Sequence, residues 1–382
     1  MLVWLGVCAV LAMGAAFPAA MGGVPPAPVF HLVFAVGALP LIVGAIIYFV
    51  PVLTRSGRES AAIRRLPLIC QVAGLLVAGV LGGVFPAWGL HAAALAIAAV
   101  ALILTGWIAR RSRITLGLPH PGIGWYGAAL LCLFFAVSLV PVWQALPALR
   151  PALRLFHLHL NTLGFVGLAA LGTLPVLFPT VLGKPDPGAA QRLRGDLPVA
   201  VTGAILIAAG SAGLPWMAIP GALLLGGVAL RNLGAWRRTF GLRSMLADGA
   251  ALSLVAATVG FAALLVLGVC HGLGWVAARP TLAAFVAGFL LPLVTGALSQ
   301  LLPVWRHPGP LSARRQVLRG RLAKGGRWRA LLFLSGALLL ALDHPAGSGL
   351  AAGGLLLFLL ALLSAFWLDR AGGSDDNQRP IP

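Results

Sequence analysis

Charge is the first thing this chain lacks. Charged residues make up 9% of its 382 positions, and only 8 of them are acidic. Soluble domains carry about 25% charged residues, so a soluble cytosolic enzyme and a disordered chain are both excluded. Cysteine is scarce too. Cys8, Cys70, Cys132 and Cys270 lie far apart in apolar runs with no CxxC spacing, which excludes a disulfide framework and a cysteine metal site. Tyrosine occurs twice, as Tyr48 and Tyr126. No P-loop, nucleophile–base pair or glycine-rich strand-to-helix turn is present. What fills the space is apolar: 60% of the residues are hydrophobic, with a mean hydropathy of +0.99. The net charge of +19 would suggest nucleic acid in a soluble chain. Here the basic residues fall in short loops between apolar runs, so no nucleic-acid partner is expected.

A membrane helix needs about 20 apolar residues. Twelve segments qualify, at 2–21, 29–54, 66–85, 88–109, 123–143, 155–183, 197–213, 215–231, 247–270, 280–305, 328–343 and 347–368. The runs are continuous rather than alternating, which excludes a β-barrel. The first run has no basic residue before it and is expected to remain a helix rather than act as a cleaved signal. Of the 27 Lys and Arg residues, 24 fall in alternate loops and the tail, leaving only Arg150, Arg154 and Arg279 on the other side. Such a split predicts both termini in the cytoplasm, with a bacterial inner membrane and its lipid bilayer as the setting. The fold expected is all-α and integral to the membrane, a single transmembrane domain over 1–382 with a polar cytoplasmic tail at 371–382.

Three stretches look alike: His31–Leu53, His159–Val181 and Ala283–Trp305. Each ends in an apolar-Pro-apolar step at Pro51, Pro179 and Pro303, and each has a glycine seven residues earlier, at Gly44, Gly172 and Gly296. Trp107, Trp236 and Trp367 recur at a matching period, each followed by basic residues. The twelve helices thus divide into three pseudo-repeats of four, about 1–113, 114–243 and 244–370. The glycine allows close helix approach. The proline sits where the second helix of each repeat reaches the surface, so its missing hydrogen bond costs little.

This plan resembles the catalytic subunit of the haem-copper oxidases, a superfamily that includes the nitric oxide reductase large subunit. The stretch from His31 through Gly44 and Tyr48 to Pro51 is similar to that family's second helix, where a histidine near the outer surface binds a low-spin haem. The NnrS family of haem- and copper-containing membrane proteins, linked to nitric oxide stress, is similar in size and span count. The resemblance implies haem or copper near the outer face, and a role in nitric oxide or oxygen response or as a respiratory accessory. Its partners would then be a small gas ligand or respiratory-chain proteins. The family's His-x-His on the tenth helix, its paired copper histidines and its helix-six tyrosine have no counterparts here. With no acidic residue expected at mid-depth in any span, neither oxygen reduction nor proton pumping is expected.

The predicted topology places His31, His91, His157, His159, His271 and His344 near the outer face, with only His120 and His307 inside. Neutral imidazole is a common ligand for transition metals. His31 and His159 share a repeat position twenty residues before the proline, where the third repeat has Ala283. They are the first candidates for binding haem or copper, through a centre the repeats share. His157, His91 and His271 are further candidate metal ligands. His157 lies about 200° around a helix from His159, and Asn161 is placed to orient it. Ser299 and Gln300 are candidates to line a cavity. Two other readings stay open: a secondary transporter, which shares twelve helices and internal repeats, and an assembly or structural membrane protein without a cofactor.

Overall fold

Inside a bilayer no water can satisfy backbone N–H and C=O groups, so apolar runs of this length must fold as helices. The computed structural model describes residues 1–115 and 117–376, with side chains for all of these except 278, 279 and 370–376. The described residues hold no strand. Among the described residues, eleven helices are long and apolar enough to cross a membrane: Leu2–Met21, Pro26–Leu53, Ala61–Leu81, Trp88–Arg113, Gly122–Ala145, Pro147–Leu182, Ala189–Ser211, Pro215–Phe240, Gly249–Gly272, Pro280–Arg306 and Ala346–Asp369. The chain is therefore an integral membrane protein of helical class. The run expected over 328–343 forms a 16-residue helix, Gly326–Ala341, which at 1.5 Å per residue falls short of a hydrocarbon core of about 30 Å. The last helix continues to Asp376. Residues 377–382 of the expected tail lie outside the described residues, as does Arg379.

Several helices begin earlier than apolarity alone suggests. The seventh starts at Ala189 rather than at 197, and this places Asp196 inside it, 1% exposed. A carboxylate there needs a partner, and Arg231 of the following helix pairs with it. The sixth starts at Pro147, so that Arg150 and Arg154 lie within its first turns rather than in a loop.

The chain divides into two compact units. One comprises residues 1–176, 185–232 and 268–275; the other comprises 177–184, 233–267 and 276–382. In both, the repeated glycines make the close approaches expected of them. A Cβ at Gly44 would meet Leu5 at 2.8 Å, and one at Gly172 would meet Trp125 at 2.4 Å, both in the first unit. In the second unit a Cβ at Gly296 would meet Ser253 at 2.9 Å. In each case the neighbour belongs to the helix just before the glycine-bearing one. The tryptophan markers diverge: Trp107 and Trp236 are buried, the latter stacked on Phe178, while Trp367 is exposed.

The second unit carries a short helix, Ala313–Ala323, in the longest basic loop. Arg319 fixes it to the core by donating to Gln300 Oε1 at 2.6 Å, to Val181 O at 2.7 Å and to Asp248 Oδ2 at 3.0 Å. Gln300 thereby takes a tethering role, and Ser299 Oγ donates to Thr295 O and Leu322 O. Arg329, expected in a loop, is fully buried and donates to Lys324 O and Leu322 O at 2.7 and 2.9 Å. Those carbonyls close the short helix, where the helix dipole favours a cation.

Candidate functional site

The three repeat stretches share a backbone feature that periodicity did not reveal. Each contains a π-helical segment, at Leu32–Ala38, Leu160–Gly167 and Val286–Leu290. Each ends five or six residues before its repeat glycine. Such segments are rare and cost ladder hydrogen bonds, and they occur often at functional sites. The local sequence explains them. Pro40 and Pro292 lack an N–H and release the carbonyls of Val36 and Gly288. Gln71 Nε2 donates to Val36 O at 2.9 Å. Gly288 O faces Gly260 so closely that a Cβ there would sit 1.9 Å from it. The middle segment has no proline in this place. Instead, Asn161 Nδ2 donates to His157 O at 2.9 Å and Thr162 Oγ1 to Leu158 O at 2.8 Å, which occupies the carbonyls at its start. Asn161 thus serves the His157 backbone and not its ring.

His31 and His159 stand immediately before the first two π segments. Their rings are held the same way. His31 Nδ1 lies 2.8 Å from Ala27 O, and His159 Nδ1 lies 2.9 Å from Leu155 O, each one turn back. A carbonyl can only accept, so Nδ1 carries the proton in both rings and the Nε2 lone pair is left for another partner. His157 is set likewise, with Nδ1 2.8 Å from Ala136 O and its ring edge-on to Trp143 at 5.2 Å. Metal-binding histidines commonly donate one ring N–H to a carbonyl or carboxylate and coordinate through the other nitrogen, and these three rings have the first of those contacts.

Within the first unit, His31 lies in Coulombic reach of His157, and His159 in that of His271. Arg154, exposed about one turn before His157, interacts electrostatically with both His31 and His157. The i,i+3 spacing of Arg154 and His157 is the sequence signal for that interaction. His91 is exposed in the first turn of its helix and belongs to neither pair. In the second unit His344 is exposed, and His307 Nε2 meets Asp369 Oδ1 at 2.7 Å while Arg306 Nε donates to Asp369 Oδ2 at 2.9 Å. His120 has a structural role: its Nδ1 accepts from Gly122 N at 3.1 Å and caps the fifth helix. Burial holds that imidazole below its ordinary pKa.

No protein-family model matches the chain, and no curated protein matches it. The functional reading therefore rests on the residues themselves. Among the described residues, no group of three or more His, Cys, Asp or Glu side chains is arranged to hold a metal ion. His31, His157 and His159 each have Nδ1 held by a carbonyl. A haem iron or a copper ion with few ligands would take donors of that kind, whereas a structural zinc site needs four protein ligands.

Proposed function

We propose that this protein binds haem or copper through histidines near its outer face, and that it acts in the response to nitric oxide or oxygen or as an accessory to respiratory enzymes. One observation carries the reading. His31 and His159, at one repeat position, each direct Nδ1–H to the carbonyl four residues back and keep Nε2 free, as His157 does through Ala136 O. Three imidazoles in one tautomer at a membrane edge exceed what helix capping requires. His31 and His159 are the ligands proposed first, with His157 and His271 as their respective neighbours and His91 as an outlying candidate. A reduced haem iron or copper ion held there would supply affinity for small diatomic gases. The chain's own contribution is orientation: carbonyls fix each ring, and the π segments set the direction of the helix just beyond. The basic loops are proposed to face the cytoplasm, with both termini there, in a bacterial inner membrane.

The deciding measurement is the absorption spectrum of detergent-purified protein, oxidised and dithionite-reduced, with metal analysis on the same sample. A haem Soret band or stoichiometric copper that is lost in His31→Ala and in His159→Ala is the expected result. A colourless, metal-free preparation from haem- and copper-replete cells would overturn the proposal. It would favour a transporter or a cofactor-less assembly protein.

A further inference from the structure

The basic loop of the second unit is more than an orientation signal. Between residues 249 and 342 the sequence has no Asp or Glu, yet residues 306–329 include eight Lys and Arg. The structure divides them by direction. Arg319 and Arg329 face the protein, where they tether the helix Ala313–Ala323 and close its end. Arg306 is taken up by Asp369, and Arg315 donates to Gly309 O at 3.3 Å. Arg321, Lys324 and Arg327 remain exposed around the turn that leads into Gly326–Ala341. Beside them stand apolar side chains that a water-facing surface would not keep: Trp328 is 66% exposed and Val317 58%. Leu318 and Leu322 on the same short helix are buried, so the helix is seated on the protein and cannot turn its cations inward.

We propose that Arg321, Lys324 and Arg327, with Trp328 and Val317, form a binding site for the headgroup of an anionic phospholipid. Three observations combine. The cations are exposed and fall within residues 321–327, with no acidic residue in their stretch of chain. The segment joins Pro280–Arg306, a helix long and apolar enough to cross a membrane, to the apolar helix Gly326–Ala341, an arrangement that would put it at headgroup level. Trp is favoured at that level because its ring is apolar while its N–H is polar. Phosphate oxygens accept from Arg and Lys, and Trp328 and Val317 would lie along the glycerol and upper acyl region. A soluble phosphate offers the first contact but not the second, so the lipid is the occupant. The seating through Arg319 and Arg329 matters, because it fixes the backbone that carries the three cations, so little backbone freedom is lost when the headgroup arrives.

The test uses the full-length protein in neutral detergent, titrated with phosphatidylglycerol or phosphatidylcholine, with bound lipid counted by native mass spectrometry. Phosphatidylglycerol is expected to bind preferentially. Each cation contributes about fivefold near an anionic surface, so the triple variant Arg321→Gln, Lys324→Gln, Arg327→Gln should lose binding on the order of a hundredfold. The matched triple Arg237→Gln, Arg238→Gln, Arg243→Gln removes the same charge elsewhere and should retain binding. The variant Arg321→Lys with Arg327→Lys should retain most of it and confirm that the fold tolerates change here. Equal loss in both triples would overturn the proposal, since net charge alone would then explain the binding. So would equal binding of the two lipids, or displacement by inorganic phosphate at lipid-like concentrations. None of these readouts depends on haem or copper, so this proposal and the metal proposal fail separately.

Discussion

Replacing Gly260 by alanine tests the close packing that supports the third π segment. A Cβ at this position would lie 1.9 Å from Gly288 O and 2.7 Å from Gly288 C, where ordinary contact begins near 3.4 Å. The two backbones would have to separate by about 1.5 Å, the difference between those distances. Neither partner is a flexible side chain, so the strain cannot be relieved by a rotamer change. Overpacking of this kind costs about 1–3 kcal/mol, and a backbone clash belongs at the upper end. Gly268, on the same helix, supplies the control because nothing lies within 4 Å of its Cβ position. Gly268→Ala should be neutral or stabilising by up to about 1 kcal/mol, since alanine is the better helix former. The assay is unfolding of each variant in mixed micelles, followed by circular dichroism. If Gly260→Ala were as stable as Gly268→Ala, the argument that the carbonyl released by Pro292 is sheltered by a bare backbone would be refuted.

Other outcomes follow from the same structure. Gln71→Leu removes the side-chain donor to Val36 O and should destabilise by about 1–3 kcal/mol in the same assay; an unchanged midpoint would mean that Val36 O is satisfied without it. Arg329→Met deprives Lys324 O and Leu322 O of a charged donor and should cost about 2 kcal/mol, and it should loosen Ala313–Ala323 as read by hydrogen exchange. The His120 pKa is depressed by burial, so the folded state resists a proton that the unfolded chain accepts near pH 6.5. Stability is then full above that pH and declines as pH falls below it towards the folded value. Melting temperatures of wild type and His120→Gln between pH 8 and pH 5 should converge at the acid end, and parallel curves would count against this role.

Helical class and most of the spans were legible because a bilayer allows few alternatives to long apolar helices. Termini of helices were less so. Counting apolar residues stops at a charge, but Asp196 enters its helix because Arg231 on the next helix accompanies it. Arg329 looks like one more loop cation, and only the position of Leu322 O and Lys324 O shows that it caps a helix end. The sequence relates His31 to His159 by repeat; the electrostatic interactions of His157 with His31 and of His159 with His271 belong to the folded chain and have no counterpart in the spacing. The π segments had a partial signal in Pro40 and Pro292. In the middle repeat that signal was replaced by Asn161 and Thr162, which achieve a related result through side chains.

The π segments also set a phase. A π turn holds about one residue more than the α turn it replaces, and each residue of an α-helix advances the chain by about 100°. The azimuth of His31 relative to Gly44, and of His159 relative to Gly172, is therefore fixed by the backbone ladder between them. Were Leu160–Gly167 to run as regular α-helix with every residue kept, His159 would swing by about a quarter of a turn while Gly172 stayed against Trp125, whereas deleting one residue from the segment would remove the π turn and leave that azimuth nearly unchanged. The direction of each histidine and the packing of its repeat glycine are thus geared to each other by one extra residue.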